Sequence, residues 1–542
     1  MLMRRFLFLL LFALQAIAQA QTAATTVRSP GIPDFSGTLS FLSSDWMEGR
    51  EATARGGFMA ADYIASQMKL FGLMPYGDTL RQQPSAENAW KTTQTTYFQN
   101  FELIRSQVEK ASLALVRLSS GGEDAQEFAP GIDFEWEPST IAAQAEAELV
   151  FAGYGIEATA KGYNDYAGLD VRGRIVVVMD KFPGHADTSS KAYKKLGRTL
   201  NEEAISTQQK RLTAQRQGAV ALVVVSPEAL FKPYKNTQQN LGIVNKAMDA
   251  AKAGDPDYAD AEYTIPGDTS LARIPCFVLG NEACTRLLQE SGIRLTEVEN
   301  GIAGNLSPRS KILKGKKGRF SISIKSESLA VRNVMGIIPG KDTSRTIIIG
   351  AHYDHLGMRN GLIYNGADDN ASGTSGMLAL ARVWGELSEK PGCNLIFAAW
   401  TAEEKGLLGS SYFVQHTRIK PTNLSMYLNM DMISRSAPED PSRRVLSIGT
   451  LPVSEQFRQI AERKNKALNH PFILDYWDVT GHSGSDYGSF IPAKIPVMTF
   501  FSGFHDDYHT PRDIAAKSDP EKMKDILKIV NDCLLEVIKT KP

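Results

Sequence analysis

The chain is 542 residues long and 43% hydrophobic, more than one common core accommodates, so roughly two or three domains with room for a buried site are expected. Its 60 basic and 60 acidic residues cancel, which removes the electrostatic case for nucleic acid or an anionic membrane as partner. Four scattered cysteines exclude a disulfide scaffold and leave Cys276 to Cys284 as one conceivable bridge.

Residues 1–20 read as a removable secretory signal. Arg4 and Arg5 give the positive start, Phe6 to Leu14 the apolar segment, and Ala18-Gln19-Ala20 a small-x-small cleavage site. Gln15 and Gln19 interrupt the apolar run short of the ~20 residues that a membrane span needs. The expectation is an exported protein, periplasmic or extracellular, without a stable membrane anchor after cleavage.

Further on, Ala61, Ile64, Ala65 and Met68 recur at helical spacing, with Gly72 placed to end the helix. No chemistry is legible in this first part. Residues 74–95 are polar and loop-like, and a strand follows from Tyr97 to Ile104. Between about 130 and 315, strands at Arg174 to Asp180, Ala219 to Val225 and Ile274 to Leu279 alternate with a charged helical stretch at Glu203 to Gln217. That spacing predicts a small inserted module without clustered ligand residues. The basic run Lys311 to Arg319 reads as solvated surface at a junction, and two edge strands are expected after Ser321.

The run Ile347 to Ile349 is apolar and β-branched, ends at Gly350, and is followed by His352, Asp354, His355, Asp368 and Asp369. Alone, this reads equally as a buried strand with a polar loop. Beyond it come a helix from about Ala371 to Leu387, a strand from Asn394 to Trp400 ending in Glu403-Glu404, a strand Ser425 to Ile433 delivering Asp431, and a last strand before His509. Alternating strands and helices predict an α/β fold with a doubly wound, mostly parallel sheet flanked by helices. In such a sheet the carboxyl ends of the strands converge on one crevice, so possible ligands from separate strands meet there. Three carboxylates and two imidazoles exceed one four-coordinate zinc, and a pair of ions sharing a bridging carboxylate accommodates all of them. In the Glu403-Glu404 doublet one side chain can bind metal while its neighbour takes a proton.

GAHYDHLG, NGADDNASG, TAEEKGLLGS, LNMDMI and DYHTPRD, in this order, resemble the signature segments of the co-catalytic di-zinc peptidase family 28, which includes bacterial leucyl aminopeptidase, aminopeptidase Y and glutamate carboxypeptidase. The resemblance implies two Zn2+ ions per chain, with Asp368 bridging them, His352 and Asp431 completing one site, and Glu404 and His509 the other. It implies Glu403 as general base for a water bridged between the ions, and a cis peptide at Asp368-Asp369. For the oxyanion donor it offers Tyr508; His482 stands where single-domain relatives carry a Tyr, and is the second candidate. Asp354 is a partner for the His352 imidazole, while His355 and Asp486 are structural.

GYGI, YNDYAGLDVRGRIVVV, RQGAVALVVVS and IPCFVL are similar to the protease-associated domain often inserted in this family. The implied organisation is a signal at 1–20, a first part of the peptidase domain at 30–130, the protease-associated insert at 131–318, and the main part with the metal site at 319–542. The implied activity is that of an exported aminopeptidase acting on peptides. A carboxypeptidase or dipeptidase of the same fold is the alternative, and a non-catalytic peptidase-like binding protein a further one. Oligomeric state is left open.

Overall fold

The computed structural model describes residues 31–81, 93–119, 122–197, 206–226, 261–269, 271–452, 455–481 and 484–539. The signal segment and His482 lie outside the described residues.

The strands that organise the molecule are, in chain order, β1 (Phe98–Ser119), β2 (Ala143–Phe151), β3 (Ile175–Met179), β4 (Ala221–Val225), β5 (Ala261–Thr264), β6 (Cys276–Leu279), β7 (Lys311–Ile338), β8 (Asp342–His352), β9 (Cys393–Trp400), β10 (Leu424–Met430), β11 (Val445–Thr450), β12 (Ile473–Asp478) and β13 (Val497–Phe501). One continuous sheet runs β12-β11-β13-β10-β8-β9-β7-β2-β3-β4-β6. Within it β13, β10, β8 and β9 are mutually parallel, as are β2, β3, β4 and β6, and antiparallel β7 joins the two sets. The fold is the expected α/β type with a large, mostly parallel sheet.

The central strands are apolar on both faces because both faces are covered. Ile347, Ile348 and Ile349 of β8 are fully buried. On one face lie α1 (Arg55–Leu70), α2 (Gly373–Gly385) and α3 (Pro520–Lys539), whose buried residues join Ile347, Ile349 and Phe397 in one core. The predicted stripe Ala61, Ile64, Ala65 and Met68 is buried there, and Gly72 follows the helix with φ +80°. A second core gathers Leu149, Phe151, Val177, Val223 and Phe277 around β2, β3, β4 and β6.

Four expectations change. The helix expected from Ala371 begins at Gly373, because Ala367–Ser372 form a wider, irregular turn that carries the two aspartates. The expected pair of edge strands is a single 28-residue strand, β7, which pairs antiparallel with β1 for most of its length and binds both cores into one sheet. The basic run within β7 keeps Lys311, Lys314 and Arg319 exposed, as expected, but is part of a strand and is paired. Lys317 and Arg319 pair with Glu146 on β2, and Lys316 donates from Nζ to the Leu287 carbonyl at 2.9 Å. Cys276 and Cys284 are both buried free thiols, so that bridge does not form. No helix among the described residues is long and apolar enough to cross a membrane.

Candidate metal centre

His352 is the last residue of β8, and the sheet's parallel register brings the ends of β9 and β10 level with it. Its Nδ1 lies 3.2 Å from the Asp354 carbonyl, which can only accept, so that nitrogen carries a proton and Nε2 is the atom turned to the crevice. Nε2 lies 3.3 Å from Asp431 Oδ1, 3.4 Å from Asp369 Oδ1 and 3.9 Å from Glu403 Oε2. The Asp354 carboxylate, 3.9 Å from Nδ1, serves a different purpose from the expected one. It accepts from the backbone N–H of Glu403 at 3.1 Å and holds the turn that presents the two glutamates.

A second cluster forms beside the first. His509 Nε2 sits 3.0 Å from Asp369 Oδ2 and 3.2 Å from Glu404 Oε2, and His355 Nδ1 lies 2.8 Å from Glu404 Oε1. The ligand-type atoms of His355, Asp369, Glu404 and His509 all lie within 4.8 Å of one another, as do those of His352, Glu403 and Asp431. Asp369 thus turns Oδ1 to one cluster and Oδ2 to the other.

That geometry corrects the assignment of Asp368. The Asp368 carboxylate accepts from the backbone N–H of Ser434 at 2.7 Å and its hydroxyl at 2.8 Å, and its second oxygen faces His505 Nε2 at 3.3 Å. With Oδ1 held there, Asp368 is not part of either cluster; Asp369 is the aspartate that stands between the two. The cis peptide falls at Asp369-Asn370, one residue later than expected. Asp513 accepts from the backbone N–H groups of both aspartates, which fixes which way each side chain points. His352, Glu404, Asp431 and His509 are brought together as the sequence indicated, and Glu403 lines the same cavity.

The donors fit a pair of cations. His509 Nε2 is buried and makes no hydrogen bond among the described residues, despite two carboxylate oxygens nearby. It shares a gap with them instead of pointing at either, as ligands around a common ion do. Five carboxylates (Asp354, Asp369, Glu403, Glu404 and Asp431) and three imidazoles leave excess negative charge in one buried crevice. Burial, helped by the neighbouring Glu404 and Asp431 carboxylates, pushes the Glu403 carboxyl well above the usual range; burial likewise pushes Asp354 up to about 6.

The cavity that opens on these groups has a volume of about 210 Å³. Apart from polar ligands, its lining includes Met432, Trp477, Tyr487, Phe501, Phe504 and Tyr508, with no Lys or Arg among the described residues. The Tyr508 ring stacks on His509 at 3.8 Å between centroids, and burial raises its phenol far above its usual range, so the hydroxyl stays a proton donor. Asp486 lies fully buried behind the cavity.

Sequence reasoning found no functional residue in the first part of the chain. Arg50 is fully buried and donates to the carbonyls of Tyr353 (2.8 Å), Leu42 (2.6 Å), Asn365 (2.6 Å) and Gly366 (2.8 Å), tying the loops that carry His352 and Asp369 to each other. Beside it, Glu51 takes a two-pronged pair from Arg359 and a 2.9 Å contact from Lys405, the residue after Glu404. All of these contacts but the one to Leu42 span more than 300 residues of sequence, and no local pattern signals them.

Residues 333–534 match the model of peptidase family M28. Aminopeptidase YwaD of Bacillus subtilis is 31% identical over 223 residues, covering 38% of this chain and 45% of that protein. A glutamate carboxypeptidase 2 homolog of Caenorhabditis briggsae is 24% identical over 399 residues, 64% of this chain and 48% of its own. The chain therefore spans about half the length of these curated relatives. Among solved structures, the aminopeptidase from Aneurinibacillus sp. strain AM-1 superposes with a TM-score of 0.53 over 93% of each chain at 20% identity, a likeness of fold.

Proposed function

We propose, from the match of residues 333–534 to the model of peptidase family M28, that the protein is a zinc-dependent exopeptidase that removes the amino-terminal residue of peptides. The observation that carries the reading is the pair of ligand clusters sharing Asp369 at the floor of an apolar cavity. His352 and Asp431 would hold one ion, Glu404 and His509 the other, and Asp369 both. Mixed carboxylate and imidazole donors suit zinc. Bound there, the ions would lower the pKa of a water and stabilise negative charge developing on the scissile carbonyl.

The remaining work falls to the chain. Glu403 stands at the cavity wall as the carboxylate that takes a proton from the attacking water and returns it to the departing amine. Its place among other carboxylates favours proton uptake. Tyr508 lines the same cavity with its phenol protonated, and donates to the carbonyl oxygen as charge builds on it. The aromatic lining favours a large apolar side chain on the residue removed. A carboxypeptidase acting on acidic residues is the weaker reading, since no cation lines the described cavity to meet a substrate carboxylate.

The insert is read as a protease-associated domain, supported by the second apolar core, to which it contributes most of the residues. Arg4, Arg5 and the apolar stretch after them support export. The zinc-loaded protein should release free amino acids from the amino end of peptides beginning with Leu, Phe or Met, and leave their N-acetylated forms intact. Equal cleavage of both, or release only from the carboxyl end, would overturn the aminopeptidase reading.

A further inference from the structure

His355 was expected to be structural, yet its imidazole stands inside the second cluster, fully buried. Its Nδ1 makes a hydrogen bond of 2.8 Å to Glu404 Oε1, the length of a charge-assisted bond. Glu404 Oε2 faces the other way, to His509 Nε2 at 3.2 Å. The two histidines therefore divide the carboxylate, and they do so differently. Among the described residues His509 Nε2 makes no hydrogen bond, whereas His355 Nδ1 is engaged with Glu404 Oε1. Asp369 Oδ2 is 3.0 Å from the His509 nitrogen and 3.7 Å from that of His355, so the shared gap lies on the His509 side.

The ring has little freedom to do otherwise. A Cβ added at Gly366 would meet His355 Cδ2 at 2.5 Å, so the imidazole is wedged against a backbone that tolerates no side chain there. On its other flank it meets the His509 ring edge-on at 5.6 Å. A carboxylate on a flexible Glu side chain can offer a cation either oxygen or both. With Oε1 occupied by a fixed N–H, only Oε2 is left beside His509 and Asp369.

We propose that His355 is a positioning residue for the second cation site: its Nδ1–H holds Glu404 Oε1 and so selects Oε2 as the oxygen that faces the ion, without His355 binding the ion itself. The inference rests on the paired-metal reading. It identifies a residue that selects how the Glu404 carboxylate is used, from the division of one carboxylate between two imidazoles of unlike engagement.

The test is zinc binding by the metal-free full-length protein, measured by chelator competition for wild type, His355→Ala and His355→Asn. An Asn amide can place an N–H where Nδ1–H now lies but is a poor zinc ligand; Ala offers neither. The expected result is two ions in wild type, a second binding step weakened by about 10 to 100-fold in His355→Ala with the first step within about 3-fold, and recovery of most of the loss in His355→Asn. The unchanged first step reports that the variant is folded. Two ions bound equally well by all three proteins would overturn the proposal alone. So would an Asn variant as weak as Ala, since that is the behaviour of a direct ligand. A single ion in wild type would instead remove the paired-metal reading, and this proposal with it, before any variant is compared.

Discussion

Arg50 is the side chain on which the geometry of the site most depends without touching the crevice. Burial lowers its pKa to about 10, offset by the nearby Asp369, Asp513, Asp354 and Glu404 carboxylates, so it stays charged at neutral pH. Replacing it by Met would leave the buried Tyr353, Leu42 and Asn365 carbonyls without this donor, each costing about 1 to 3 kcal/mol, while the Gly366 carbonyl keeps the Ala371 N–H. Arg50→Met is therefore expected to lose about 3 kcal/mol or more in a urea titration; a loss within about 0.5 kcal/mol would show that the loops hold themselves. Glu403→Gln is expected to retain its zinc while turnover falls on the order of 10² to 10⁴-fold, and unchanged turnover would sink the base assignment. Adjacent acidic residues mark the limit of what sequence discloses at this scale. Neighbours differ in direction only through backbone torsion and distant partners. For Glu403 and Glu404 the resemblance distinguished the two, whereas for Asp368 and Asp369 the deciding contacts come from Ser434, His505 and Asp513, far along the chain. His355 was hidden for the same reason.

At the scale of elements, the strands were the legible part. A β-branched run ended by glycine, as at Ile347 to Gly350, has few places to go but the middle of a covered sheet. The long strand β7 was not legible as one piece, since its basic half becomes strand only by finding Glu146 on β2 and the whole length of β1. The segment carrying His509 shows how a loop is kept as fixed as a strand. Burial alone would raise the Asp507 carboxyl, but hydrogen bonds from Lys517 and Arg512 and the ion pair with Arg435 outweigh it and hold it below the usual range. A group whose folded pKa lies below its unfolded one binds fewer protons when folded. Its stabilisation is therefore complete above the ordinary carboxylate range, about pH 4, and lost as pH falls through the folded value. Asp507→Asn should accordingly flatten the fall of stability below about pH 4 in urea titrations across pH, leaving an acid limb as steep as wild type if the loop is secured elsewhere.

For the whole molecule, the unbroken sheet means that the two cores share strands, with β7 belonging to both. Strand β5 pairs with β1, and the Tyr263 ring on β5 lies 4.8 Å from the Lys405 ammonium, so the inserted segment reaches the residue next to Glu404. In the proposed centre one carboxylate, that of Asp369, joins two cation sites. Zinc content per chain after equilibrium dialysis of wild type, Asp368→Asn and Asp369→Asn tests this most directly. Two ions in wild type and in Asp368→Asn, with fewer in Asp369→Asn, are expected. Loss of zinc in Asp368→Asn alongside full retention in Asp369→Asn would contradict it.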